Sequence, residues 1–248
     1  MTLRRVPVSR ENDLLHFASA GEVIHVYFLN GNSEVRGIVE HYAREWERFG
    51  NFRFQFHQEP KTSKEVAILI QFAKQEGNVL GWSAVGSGTS GTDAPSMEFA
   101  PYGPDEFHDT PAALGTSVVH EFGHALGLKH EQDNPRGAPL WKKDKAHEFF
   151  RQAGWKQEWI DEFLNQKVPG NMQATDFDPH SIMAYGISGE NFADGKDIGT
   201  VDLITAGDRA AIRLLYPGRA QPTRPLPMQL YTDSRPMVLN FAQENVEI

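Results

Sequence analysis

The sequence predicts an α+β fold, on three observations. Strand-type segments at 23–29, 52–56, 66–72, 79–85 and 96–100, either alternating or continuously apolar and rich in β-branched and aromatic residues, all lie in the first hundred residues. Helical periodicity breaks into them at 35–49 and returns after residue 110 with a long, nearly all-apolar stretch. From residue 131 to 217 only short amphipathic helices and polar loops follow.

Taken in order, residues 1–22 show no period and read as a lead-in, with Leu14, Leu15 and Phe17 as its only apolar candidates for packing. Val23 to Leu29 forms the first strand, closed by the turn Asn30-Gly31-Asn32. Ser33 is the expected N-cap of a helix whose apolar face is Val35, Ile38, Val39, Tyr42, Trp46 and Phe49, stopped by Gly50. Phe52, Phe54 and Phe56 alternate with polar partners, and Val66 to Phe72 is a continuous apolar run; both read as strands. Val79 to Val85 is another strand. The glycine-rich run 86–91 after it lacks Gly-Lys-Ser/Thr, so it reads as a solvated connection and not as a phosphate cradle. Ser96 to Ala100 is a short strand. Thr110 then caps, and Pro111 opens, a helix whose Leu114, Val118, Val119, Phe122, Ala125 and Leu126 cover most of its circumference, which predicts burial. Trp141 to Ala153 and Lys156 to Gln166 read as two helices with aromatic faces, and 176–189 as a loop. Thr205 and Asp208 resemble a capping box for a last helix that ends at Tyr216-Pro217. Residues 218–248 read as a proline-rich tail, with an edge strand at Met237 to Phe241.

The buried helix carries the chemistry. In His-Glu-Phe-Gly-His-Ala-Leu-Gly-Leu-Lys-His, residues 120–130, His120 and His124 leave the same helix face one turn apart, so both imidazoles reach one metal ion. On a continuing helix His130 would lie about 15 Å along the axis from His120. Gly127 is expected to take a positive φ, end the helix and bring His130 back to the same ion. Three imidazoles leave a coordination position open, which is the layout of a catalytic zinc site; structural sites are closed by a fourth protein ligand. Glu121 then stands beside the ion as a general base for its water. The reading is one catalytic Zn2+ per chain.

Composition excludes other classes. A net charge of −9 with no basic stripe argues against a nucleic-acid partner. No apolar run has the length of a membrane span. Glu11, Asp13 and His16 interrupt the stretch behind the positive N-terminus, so no signal peptide is read there. With 0 cysteines the chain has neither disulfides nor thiolate ligands.

Ser181-Ile182-Met183-Ala184-Tyr185 follows some fifty residues after His130. Together with the histidine pattern it resembles the Met-turn of metzincin metalloproteases in the Ser-x-Met-x-Tyr form of astacins. Glu131 after the third histidine, the approach Asp178-Pro179-His180, and the closing Leu-Leu-Tyr-Pro are also similar to astacins. The resemblance covers about residues 23–217. It implies a two-lobed catalytic domain. The upper lobe, 23–130, would be a twisted mixed sheet with its backing helix and the zinc helix. The lower lobe, 131–217, would be irregular and hold the Met-turn and the last helix. It further implies that Met183 forms an apolar floor under the imidazoles. Tyr185 would be a weak fifth ligand that swings away to stabilise the charged intermediate, and Glu131 would lie near the amino terminus of the mature enzyme. An extended substrate would lie along an edge strand before the zinc helix, here Gly81, Trp82, Ser83 and Ala84. The expected activity is zinc-dependent endopeptidase cleavage of protein or peptide substrates by a monomer, secreted by family analogy. A zinc-bearing binding module without turnover and a protease effector or toxin with one dedicated target are the alternatives. His25, His41 and His57 read as packing or surface residues, and His108 and His180 as neighbours of the cleft outside the ligand set. Glu190, Asp194 and Asp197 do not have EF-hand spacing.

Overall fold

The computed structural model describes residues 21–57, 67–74, 80–86, 94–104, 106, 108–137, 139–165, 174–199 and 203–218. Five strands, β1 (Glu22–Phe28), β2 (Phe52–His57), β3 (Ile68–Phe72), β4 (Gly81–Ser83) and β5 (Met97–Phe99), form one sheet in the order β2-β1-β3-β5-β4. All neighbours are parallel except β4, which runs antiparallel to β5 at the edge. The strands alternate as period 2 requires: Ile24, Val26, Phe28, Phe52 and Phe54 enter the main core, while Val23, Arg53 and Gln55 face out.

Helix α1 (Ser33–Ala43) and the long α2 (Pro111–Ala125) complete that core. Gly115 allows their close approach, since a Cβ there would overlap the Tyr42 ring. The cap of α1 is Asn32 and not Ser33: its side chain accepts from Val35 N at 2.9 Å. The helix also does not run unbroken to Phe49. It ends at Ala43, and a 3₁₀ turn, Trp46–Arg48, follows. The tighter turn carries the Trp46 indole inward, where Nε1 donates to Val119 O at 2.8 Å. Gly50 is therefore not a helix stop but a packing glycine, pressed between Phe52 and Ile212.

The second half builds a smaller, aromatic core. Helices α3 (Lys143–Gln152) and α4 (Gln157–Leu164) bring Phe150 and Ile160 onto Ile187, Phe192 and Ile198, ringed by Trp141, Trp155, Phe163 and Tyr185. Both helices are shorter than the sequence pattern, and so are the described parts of β3 and β4, by the one or two residues at the ends where element boundaries fray. The last helix, α5 (Ala206–Leu215), has the reciprocal Thr205–Asp208 capping box that the sequence predicts. No helix among the described residues is long and apolar enough to cross a membrane. The lead-in to residue 20, the glycines after Gly86, residues 66 and 79, Gln166, and the tail from 219 with its strand at 237–241 lie outside the described residues.

Candidate metal centre

The centre starts with the way α2 begins and ends. Thr110 Oγ1 accepts from Ala113 N at 3.2 Å and Pro111 opens the first turn, so the helix enters the core fully capped. It ends on Gly127 at φ +102°, with Gly127 N on His124 O at 2.8 Å and Leu128 N on Gly123 O at 2.9 Å. Those two bonds are the Schellman pattern, and they reverse the chain within one turn. His130 is thereby returned to the face of His120 and His124. One ring nitrogen from each of the three lies within 4.8 Å of the others, and His124 Nε2 and His130 Nε2 are 3.0 Å apart.

Backbone carbonyls set the tautomers. His120 Nδ1 donates to Ile182 O at 2.7 Å and His124 Nδ1 donates to Leu128 O at 2.9 Å. In the neutral rings this leaves the Nε2 lone pairs as the free donors for a metal. Burial lowers the pKa of His120 to about 3, helped by His124, and that of His124 to about 4. Burial also holds His130 well below the ordinary value, with the His124 and His120 charges adding to it. All three are neutral at pH 7. Glu121 is buried beside them, and its Oε2 has no hydrogen-bond partner. Burial raises its pKa to about 8. Converging lone pairs beside an orphaned buried carboxylate are electrostatically incomplete alone, and a divalent cation satisfies both. The donor set fits zinc, with three imidazoles and no fourth histidine, cysteine or carboxylate joining them among the described residues.

The turn at Ser181–Tyr185 closes the centre from below. Ile182 supplies the carbonyl for His120. Met183 lies under α2 so closely that a Cβ at Gly123 would overlap its Sδ. The Tyr185 ring is centred 4.3 Å from that of His130. Its pKa is pushed up by burial and then by the negative charges of Glu121 and Asp133, so the hydroxyl keeps its proton. Gln132 Oε1 accepts from Tyr185 N at 3.3 Å, and Glu131 N donates to Met183 O at 3.1 Å. Glu131 itself has internal partners: its Oε1 accepts from Asn134 Nδ2 and from Asp178 N, each at 2.8 Å. Burial leads its pKa up to about 7.

Of the strand residues singled out by sequence, Gly81 lies against the centre: a Cβ placed on it would stand 3.4 Å from Glu121 Cγ. Trp82 Nε1 donates to Glu98 Oε2 at 2.8 Å along the neighbouring strand, and Ser83 and Ala84 are buried. His108 is not one of the three grouped histidines. Buried, it joins Ala100 O at 3.1 Å to Ser117 Oγ at 3.0 Å. His180 is exposed, and His25 Nδ1 pairs with His57 Nε2 at 2.8 Å across β1 and β2. Sequence reading did not single out Gly123 or Gln132. The first is hidden inside the histidine motif, and for the second no local signal exists.

Comparison of the sequence with family models and with curated proteins gives no match. Solved structures do match. One structure of myroilysin superposes with a TM-score of 0.73 at 27% identity, over 83% of this chain and 97% of that one. A second structure of myroilysin has a TM-score of 0.59 at 27% identity, over 83% and 87%. High choriolytic enzyme 1, a hatching enzyme zinc-protease from the medaka fish Oryzias latipes, shares the fold at a TM-score of 0.50 and 18% identity, over 83% and 96%. These neighbours are astacin-family zinc metalloproteases. With its mixed sheet, its helix-borne histidine triad and these neighbours, the chain has the fold of, and is similar to, astacin-family zinc metalloproteases.

Proposed function

We propose that this chain is a zinc-dependent endopeptidase. The observation that carries the reading is the convergence of three neutral imidazoles beside a buried carboxylate with an unpartnered oxygen. His120, His124 and His130 would hold one zinc ion, which supplies a Lewis acid that polarises a peptide carbonyl and makes water acidic enough to attack near neutral pH. Glu121 takes the proton of the attacking water through its free Oε2 and returns it to the leaving amine. Tyr185, held in its protonated form, donates to the oxyanion that develops on the substrate; one such donor is typically worth about 3 kcal/mol. Met183 serves as the apolar floor of a Met-turn, its bulk accommodated by Gly123. The outer edge of β4, at Gly81 to Ala84, receives the extended substrate by main-chain pairing and brings its scissile bond to Glu121.

The test combines elemental analysis with casein hydrolysis. Wild-type protein should carry one zinc per chain and lose activity to a chelator. Glu121→Ala should keep the zinc and lose about a thousandfold or more in kcat/KM. Zinc-free wild type that hydrolyses casein at full rate, or an active Glu121→Ala, would remove the proposal.

A further inference from the structure

Asp208 is known so far only as the residue that closes the capping box of α5, yet its carboxylate does more than a cap requires. It is buried, and its two oxygens accept four hydrogen bonds. Oδ2 takes Thr205 N at 2.8 Å, Thr205 Oγ1 at 2.9 Å and Ile182 N at 3.1 Å. Oδ1 takes Ser181 Oγ at 2.6 Å. The Ser181 hydroxyl in turn accepts from Met183 N at 3.0 Å. That amide and the Ile182 carbonyl belong to one peptide unit, and the carbonyl accepts from His120 Nδ1 at 2.7 Å. The donors therefore all point one way, from the His120 ring through the Ile182–Met183 peptide and the Ser181 hydroxyl to the carboxylate.

We propose that Asp208 is a positioning residue for the metal centre, acting on His120 through this peptide-bridged chain of hydrogen bonds. A negative charge at the end of a unidirectional chain polarises each bond in it, so the Ile182 carbonyl becomes a stronger acceptor than an isolated amide. A stronger acceptor at Nδ1 fixes the His120 tautomer and makes its Nε2 a better donor. A carboxylate placed directly behind a ligating histidine does the same, and losing such a partner typically costs about ten- to a hundredfold in metal affinity. Here the carboxylate stands two bridges back, so the lower end of that range applies. The second bond, from Ile182 N, prevents the turn from rotating its carbonyl away. The inference rests on the zinc reading of the centre.

Three variants separate the chain from the cap, with zinc affinity read by competition against a chromophoric chelator and folding read by thermal melting. Ser181→Ala breaks the chain but leaves Thr205 and Ile182 N on Asp208; it should raise the zinc Kd about tenfold. Asp208→Asn removes the charge and should raise it at least as much. Thr205→Ala removes the cap hydroxyl and leaves the chain intact, so it should lower the melting temperature and hold the zinc Kd within about twofold. If Asp208→Asn does not fold, Ser181→Ala carries the test alone. A folded Ser181→Ala with wild-type zinc affinity overturns the proposal. So does a Thr205→Ala that loses affinity as much as Ser181→Ala, since the effect would then follow fold stability. Wild-type protein that binds no zinc overturns the metallopeptidase reading and this inference together, an outcome distinct from either of those.

Discussion

The centre is assembled from two regions built on opposite principles. From Thr110 to His130 the backbone path is decided within a few residues: a cap, a helical spacing, a glycine at φ +102°. From Ser181 to Tyr185 almost nothing is local. That turn is held by Asp208 from α5, by Gln132 and Glu131 from the segment after the third histidine, and by the room that Gly123 leaves in α2. Met183 belongs to the main core, while Tyr185 packs against the aromatic one. The backbone path of the first region is set by its own sequence; the second joins both cores.

The largest expected effect breaks the local region at its hinge. Gly127→Val puts a β-branched side chain where φ is +102°, a conformation it rarely adopts, and both Schellman bonds depend on that conformation. Zinc affinity should fall by about a hundredfold or more, read by chelator competition. Retention of wild-type affinity would mean that His130 reaches the site without the reversal.

A smaller effect probes the non-local region. Tyr185→Phe keeps the ring against His130 and Phe163 and removes only the hydroxyl. It should lower kcat about a hundredfold with little change in KM and none in zinc content. A loss confined to KM would assign the hydroxyl to substrate binding and not to the oxyanion.

The smallest effect lies at the join, where Asp133 stands between Lys129 and Tyr185. Burial raises its pKa from 3.8 to about 6, against an opposing pull from Lys129. An acid raised on folding holds its proton more tightly in the folded state. There is no penalty below about pH 4, and stability is lost as pH climbs from about 4 to 6. Asp133→Asn should therefore match wild type near pH 4 and exceed it above pH 6 by on the order of 1 kcal/mol, measured by urea denaturation across that range. An advantage that is constant with pH would detach it from this titration.

The same contrast explains what was legible in the sequence. The zinc helix, its cap, its burial and the reversal at Gly127 could all be read, because each depends on spacing and backbone preference within one segment. The class of fold and the capping box of α5 were legible for the same reason. Asn32 in place of Ser33 as a cap, and the break of α1 before Trp46, were not: the first is a choice between adjacent capping residues, the second follows from an indole that finds Val119 O. Asp208 shows the limit most clearly. Its partner three residues earlier was visible, whereas its bonds to Ser181 and Ile182 cross more than two dozen residues and exist only once α5 has docked.

The register of β4 carries a consequence for any chain that lies along it. Ala84 N bonds to Ser96 O and Ala100 N to Leu80 O, and Trp82 is opposite Glu98. The even-numbered residues thus spend their main-chain groups on β5, and Gly81 and Ser83 turn theirs to the open side. A ledge that offers amides only at alternate positions reads its guest at every second residue. Backbone N-methylation of a peptide inhibitor would then be felt at one parity and tolerated at the other. With net gains of about 1 kcal/mol per bond, so short a ledge would hold a paired peptide loosely.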